Sequence, residues 1–210
     1  MKVTNKYGVP EPLVTLAKAE YYSKGASQYS VTELMSPPRV KRLREQHSEQ
    51  IEQDVSDMLW QLLGSALHVV MERGVTDGWV MEERLFTTLN DVTISGQIDL
   101  QQETDDGIVL IDYKFTSAWA VMQDKVEWEQ QLNVYKWMLE KYYGLEVADL
   151  YLVILHPDNP SYRRMRLNIL DEEVEDMMEC RRRAGEMGSK QPGILPIPED
   201  PVEDTPSQQI

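Results

Sequence analysis

The apolar residues fall into stretches of different period. In the front part the spacing is helical: Ile51, Val55, Met58, Leu59, Leu62, Leu63, Ala66, Leu67 and Val70 recur along one face, and Gly74 offers a stop. A long helix packed on a sheet is predicted there. Before it, Ser36-Pro37-Pro38 marks another helix start, since proline is pre-organised for a first turn, and Arg39, Lys41, Arg42 and Arg44 follow. The period then shortens to that of strands. Val80 to Phe86, Val92 to Leu100 and Ile108 to Phe115 are separated by the turn signals Asn90-Asp91 and Thr104-Asp105-Asp106-Gly107, which predicts an antiparallel meander. A helix from about Gln123 to Tyr142, ended near Gly144, leads to the apolar run Leu150 to Leu155, short and β-rich enough for a buried strand. That order suggests a crossover connection. Arg163 to Ile169 alternates as an edge strand would, and an acidic helix starts at Asp171 and reaches Arg181-Arg182-Arg183, charges that suit its dipole.

Composition narrows the picture. The 210 residues include 36 acidic and 21 basic ones, a formal net charge of -15, so a uniformly basic surface that gathers nucleic acid by charge alone is excluded. One cysteine, Cys180, excludes an intramolecular disulfide framework and any four-cysteine zinc or iron-sulfur site, and is read as an inert thiol. No stretch has the length of an apolar membrane span and Met1 to Pro12 lacks a signal-like apolar run, so a cytoplasmic protein is expected. One domain is expected over residues 1–190, with a helical part to about residue 74. From Gln191 the chain carries five prolines, four acids and no basic residue, the composition of an extended tail over 191–210.

The chemistry concentrates in Gly96-Gln97-Ile98-Asp99 and, after a turn, Ile111-Asp112-Tyr113-Lys114. Strand alternation puts Asp112 and Lys114 on one face. Two carboxylates facing one another across a hairpin repel when both ionise, and a hard divalent cation relieves that repulsion. A structural salt bridge from Lys114 to Asp99 or Asp112, without catalysis, accounts for the same residues.

An acid on one strand, Asp-x-Lys on the next and a helix carrying Gln131-x-x-x-Tyr135 resemble the RecB-like nucleases of the PD-(D/E)XK superfamily, and His68 in Gly64-Ser65-Ala66-Leu67-His68 matches their upstream histidine. The resemblance covers roughly His68 to Leu155, and Ser30 to Pro38 is similar to the opening of phage-encoded members. It implies an α/β fold with a restriction-endonuclease-like core, a central mixed sheet containing an antiparallel meander and flanked by helices. By the same resemblance Asp99, Asp112, His68 and the Tyr113 carbonyl would bind magnesium or manganese, Lys114 would orient or deprotonate the attacking water and offset phosphate charge, and Gln131 and Tyr135 would face the site or the substrate backbone. The implied activity is hydrolysis of DNA phosphodiesters, more as an exonuclease than an endonuclease, in replication, recombination or processing. The implied partners are DNA, a single-strand-binding or recombination protein, and a second copy of this chain, with no membrane and, for a phage protein, the host cytoplasm as compartment.

Two departures stand out: Ile98 precedes Asp99 where the superfamily name has proline, and the second acid is Asp112 where many members have glutamate. The absent cysteines disfavour the subgroup with an iron-sulfur cluster. A non-catalytic binding module and an RNA-processing nuclease on the same core are the rival functions. Blander roles also exist residue by residue: His68 as a hydrogen-bonded core histidine and Tyr135 as part of the apolar stripe with Leu132 and Leu139; Glu72 could join the site and one of Glu82 and Glu83 could face the metal, but a solvated helix end and the surface are their default places. His47 and His156 have no constellation around them.

Overall fold

A computed structural model describes residues 2–19, 25–74, 76–89, 91–117, 126–156 and 161–189, without the side chains of 38, 161, 162 and 181–189. The turn residue Asn90, the stretch 123–125 expected to open a helix, and the tail 191–210 lie outside the described residues.

The long front helix, α4 (Val55–Met71), begins four residues later than its apolar pattern suggests. Asp54 sets the start, because its carboxylate accepts from the Ser56 N–H as an N-cap. Ile51 is therefore outside the helix. The residues before the cap form β3 (Glu52–Asp54), which pairs in parallel with β1 (Lys2–Thr4), a small two-stranded sheet that the sequence reading did not include. Asp54 also accepts from the Lys6 N–H and the Thr4 hydroxyl, so one carboxylate holds the N-terminal strand and starts α4. The helix buries Val55 and Met58 against Val14 and Ala17 of α1 (Glu11–Lys18).

Two short helices complete the front. In α2 (Val31–Met35) the Ser30 hydroxyl accepts from the Glu33 N–H while the Glu33 carboxylate accepts from the Ser30 N–H, a capping box that stabilises an otherwise marginal five-residue helix. The expected basic helix is α3 (Pro38–Gln46), with proline at its first position.

The meander appears as β4 (Trp79–Leu89), β5 (Val92–Thr104) and β6 (Gly107–Phe115), antiparallel throughout. A helix, α5 (Val126–Met138), closes in a π-helical turn, Leu139–Tyr143, capped by Gly144 in the left-handed region at φ 68°. The chain then enters β7 (Val147–His156) parallel to β6, and β8 (Ser161–Arg166) returns antiparallel along the edge. With β2 (Tyr29–Ser30) parallel to β5, the sheet has six strands of mixed direction. The last helix is α6 (Asp171–Ser189).

One face of the sheet, with Leu85, Ile94, Ile98, Leu110 and Leu150, packs under Leu132, Tyr135 and Met138 of α5 and Val174 and Met178 of α6. The other face carries Leu100, Val109 and Ile111 with Met81 and Tyr113 beside them. Lys136, buried in α5, is held by Glu140 at 2.6 Å and Asp171 at 2.7 Å, which ties α6 to α5. Among the described residues no helix is long and apolar enough to cross a membrane.

Candidate active site

Strands β5 and β6 pair only from Leu100 opposite Ile111 toward their turn. Beyond that point they diverge, and β6 continues from Asp112 to Phe115 with β7 alone as partner. The gap between the two strands holds Asp99 on one side and Asp112 to Lys114 on the other. The Tyr113 N–H, freed from the ladder, donates to Asp99 Oδ2 at 2.8 Å.

From the other side of β5, Glu82 joins the group. It sits opposite Asp99 on β4 but has φ 53°, a left-handed conformation rare for a residue with a side chain and more so within a strand. The consequence is a change of face. Glu83 pairs with Ile98 and Met81 with Leu100, yet Ile98 belongs to the core under α5 while Leu100 and Met81 belong to the cluster on the opposite face. The break frees Glu82 and Asp99 from simple alternation and aims both at the end of α4. There His68 Nδ1 lies 2.8 Å from Glu82 Oε1 and 3.6 Å from Asp99 Oδ1. The Gln97 amide donates to the second Glu82 oxygen and fixes that carboxylate.

His68, Glu82 and Asp99 thus present one nitrogen and two carboxylate oxygens within 4.8 Å of one another, a set that could hold a metal ion. Asp112 lies outside that close group. Its buried Oδ2 is ion-paired with the Lys114 ammonium at 2.6 Å. Of the sequence-derived set, His68 and Asp99 come together directly, Tyr113 reaches Asp99 through its N–H and not the carbonyl expected as a ligand, and Asp112 and Lys114 form the adjoining pair. Gln131 donates to the Tyr135 hydroxyl at 2.9 Å and its amide reaches 3.5 Å from Asp112 Oδ1. Tyr135 is buried in the core, and its hydroxyl accepts from the Gln131 amide.

The sequence allowed one of Glu82 and Glu83 to face the metal, with the surface as the default for both; the face change at Glu82's own backbone is what brings it inward. Glu83 instead holds the buried amide of Gln101, and Glu72 caps the end of α4. Among the described residues His47 and His156 stay outside the group, and Cys180 is exposed.

The electrostatics are those of buried acids close together. Burial and the neighbouring Asp112 carboxylate push the Asp99 carboxyl up to about 7. The hydrogen bond to Glu82 raises His68 above its ordinary value against the opposing effect of burial, with the Asp99 charge adding to the rise. Burial pulls Lys114 down, but the Asp112 and Asp99 charges outweigh it, so its ammonium is more firmly protonated than usual. A divalent cation among these carboxylates would remove the repulsion that protons otherwise relieve, so the residues present suit such an ion.

A mixed sheet that opens onto clustered acids, an imidazole and a lysine, with helices on its faces, is a restriction-endonuclease-like core. A profile of the PD-(D/E)XK nuclease superfamily matches residues 15–192, and the chain belongs to that superfamily. No curated protein matches. Among solved structures, SSO0001 is similar over 83% of this chain and 82% of its own, at 17% identity and a TM-score of 0.53, a likeness of fold. An alkaline exonuclease from Laribacter hongkongensis is similar over 77% of this chain and 88% of its own, at 13% identity and a TM-score of 0.46.

Proposed function

We propose that residues 1–190 act as one nuclease domain that hydrolyses DNA phosphodiesters with magnesium or manganese, attacking strand ends as an exonuclease. The observation that carries this reading is the juxtaposition of the His68, Glu82 and Asp99 donor set with the Asp112 and Lys114 pair at the open end of β5 and β6. Bound there, a divalent ion would supply a water of lowered pKa and polarise the scissile phosphate. His68, Glu82 and Asp99 would hold it, and Asp112 would complete the shell once Lys114 turns to substrate. Lys114, firmly protonated, is better suited to stabilise phosphate charge and orient the water than to take its proton. Gln131, supported by Tyr135, keeps Asp112 in place.

The preference for ends and for DNA rests on the RecB-like order of His68, Asp99, Asp-x-Lys and Gln131-x-x-x-Tyr135. The test is incubation of the purified chain with linear duplex, circular duplex and single-stranded DNA, in manganese, magnesium or EDTA. Cleavage of linear but not circular substrate, lost in EDTA and in Asp112→Asn, is expected. Full activity in chelator overturns the mechanism, cleavage of circles overturns the exonuclease assignment, and intact DNA in every lane favours a non-catalytic binding module.

A further inference from the structure

A second feature of α4 leads away from the metal donors. Trp60, Gly64 and His68 are spaced by four residues and so lie on one lane of the helix. At the near end His68 meets Glu82 and Asp99. At the far end, about 12 Å along the axis at the usual rise per residue, Trp60 is 54% exposed although it is the largest side chain on the helix. Between them Gly64 leaves open space, since a Cβ added there meets nothing within 4 Å. Trp60 is not part of the packing of α4 on α1, which Val55 and Met58 provide with Leu62 beside them. Its aromatic neighbour is Phe115, with centroids 6.2 Å apart and planes tilted by 44°. The two rings therefore form an open wedge and not a closed stack, and Phe115 directly follows Lys114 on β6.

We propose that Trp60, backed by Phe115, is a stacking platform for an unpaired base, so that the substrate is engaged as single-stranded DNA; this rests on the nuclease reading above. An aromatic face accepts any base, because every base has a π-face, and so grips a single strand without reading its sequence. In a duplex every base face but the outer ones of the terminal pairs is already stacked, so a single strand offers far more of them. The lane also has room for strand between the two ends, since about 12 Å of helix axis separates Trp60 from His68. A grip of this kind also suits a chain of net charge -15, because stacking draws no attraction from the protein's overall charge.

The test measures binding of fluorescein-labelled oligo(dT) and of a blunt hairpin duplex to the full chain, with calcium in place of the catalytic ion. Trp60→Ala should lose about ten-fold in oligo(dT) affinity, the size of one base stack, with duplex binding unchanged, while Trp60→Phe should stay within about two-fold of wild type. In parallel, 5-iododeoxyuridine-substituted oligo(dT) should photocrosslink to Trp60 or Phe115 of the wild-type chain, a result that needs no variant to fold. Unchanged oligo(dT) affinity in Trp60→Ala, an equal loss for both substrates, or crosslinks confined to other residues overturns the platform. Trp60-dependent binding in a chain that cuts nothing with manganese or magnesium supports the platform while the nuclease reading fails. Cleavage with no Trp60 dependence does the reverse.

Discussion

Replacing Gly96 by alanine tests how the site is supported from behind. Gly96 lies on β5 opposite Leu85, three residues before Asp99, and its backbone is not in the left-handed region, so the need for glycine there is one of space. An alanine Cβ would stand 2.5 Å from Tyr135 Cε1, 2.9 Å from its Cδ1 and 3.0 Å from Val31 Cγ2. Neither neighbour can yield, since Tyr135 is 3% exposed and Val31 is fully buried. Overpacking of this kind costs about 1–3 kcal/mol, and the smaller backbone entropy of the unfolded alanine chain returns about 0.4–1 kcal/mol. A net loss of about 1–2 kcal/mol remains, which in a domain of this size lowers the melting temperature by about 2–8 °C. Activity should fall as well, because displacing Tyr135 moves the hydroxyl that holds Gln131 beside Asp112. Calorimetric melting in a wild-type and a Tyr135→Leu background isolates the cause, since the smaller side chain leaves room for the methyl group. The penalty should then disappear, giving an interaction energy of about 1 kcal/mol or more. A variant that melts at or above wild type, or an equal penalty in both backgrounds, refutes the argument.

Glu82→Gln should bring the His68 pKa in EDTA back toward its ordinary value, seen by NMR titration of the ring, and weaken manganese affinity by about ten-fold or more, because the main cause of the raised value is the Glu82 hydrogen bond. Asp54→Ala should lower the melting temperature and flatten its acid limb: hydrogen bonds from the Lys6 and Ser56 backbones hold the carboxyl at about 2, below its ordinary 3.8, so its contribution is complete above pH 4 and lost as pH falls toward 2. Changing Arg39, Lys41, Arg42 and Arg44 of α3 to glutamine should reduce the slope of DNA affinity against salt by about 1 for each cation that meets a phosphate; Lys41, already paired with Glu33 at 3.3 Å and lying over the Tyr29 ring, should contribute least.

The sequence revealed those parts of the fold whose period is regular over many residues. The α4 stripe, the three strands of the meander and the return through α5 to β7 all have apolar repeats longer than the error at their ends. Asp-x-Lys was legible for the same reason, since β6 alternates without interruption from Leu110 to Lys114. Glu82 could be named only as one of two acids, with Glu83, that could turn inward, because alternation fails at that residue: a left-handed glutamate reverses the facing of the strand, and glutamate has no sequence signal for that conformation. The pairing of β1 with β3 was hidden differently. Three residues show no period, and their partner lies fifty positions away. Ile51 fitted the helical repeat but lies before Asp54, where the cap overrides the pattern. Gly96 was visible as a motif residue, whereas its reason, the Tyr135 ring against its Cα, exists only once α5 has packed on the sheet.

The charge balance of the site links stability, metal and pH in one testable relation. Among the described residues Glu82, Asp99 and Asp112 converge with His68 and Lys114 as cationic partners, and burial, with the neighbouring Asp112 carboxylate, is why Asp99 holds its proton up to about pH 7. In the unfolded chain the same carboxyl titrates near 3.8, so between about pH 4 and 7 the folded, metal-free protein binds more protons than the unfolded one. Stability in EDTA should therefore rise as pH falls from 8 to 5. His68 acts in the same direction, because its raised pKa gives a contribution that is present below 6.5 and lost as pH climbs through the folded value. With a divalent ion the dependence should reverse: the ion competes with these protons, so its affinity, and the stabilisation it confers by binding the folded state alone, should grow as pH rises. Melting temperatures across this range, with EDTA and with saturating manganese, should give slopes of opposite sign. Parallel slopes would mean that the ion does not displace the Asp99 proton, and the metal centre would then have to be built on Asp112 without Asp99.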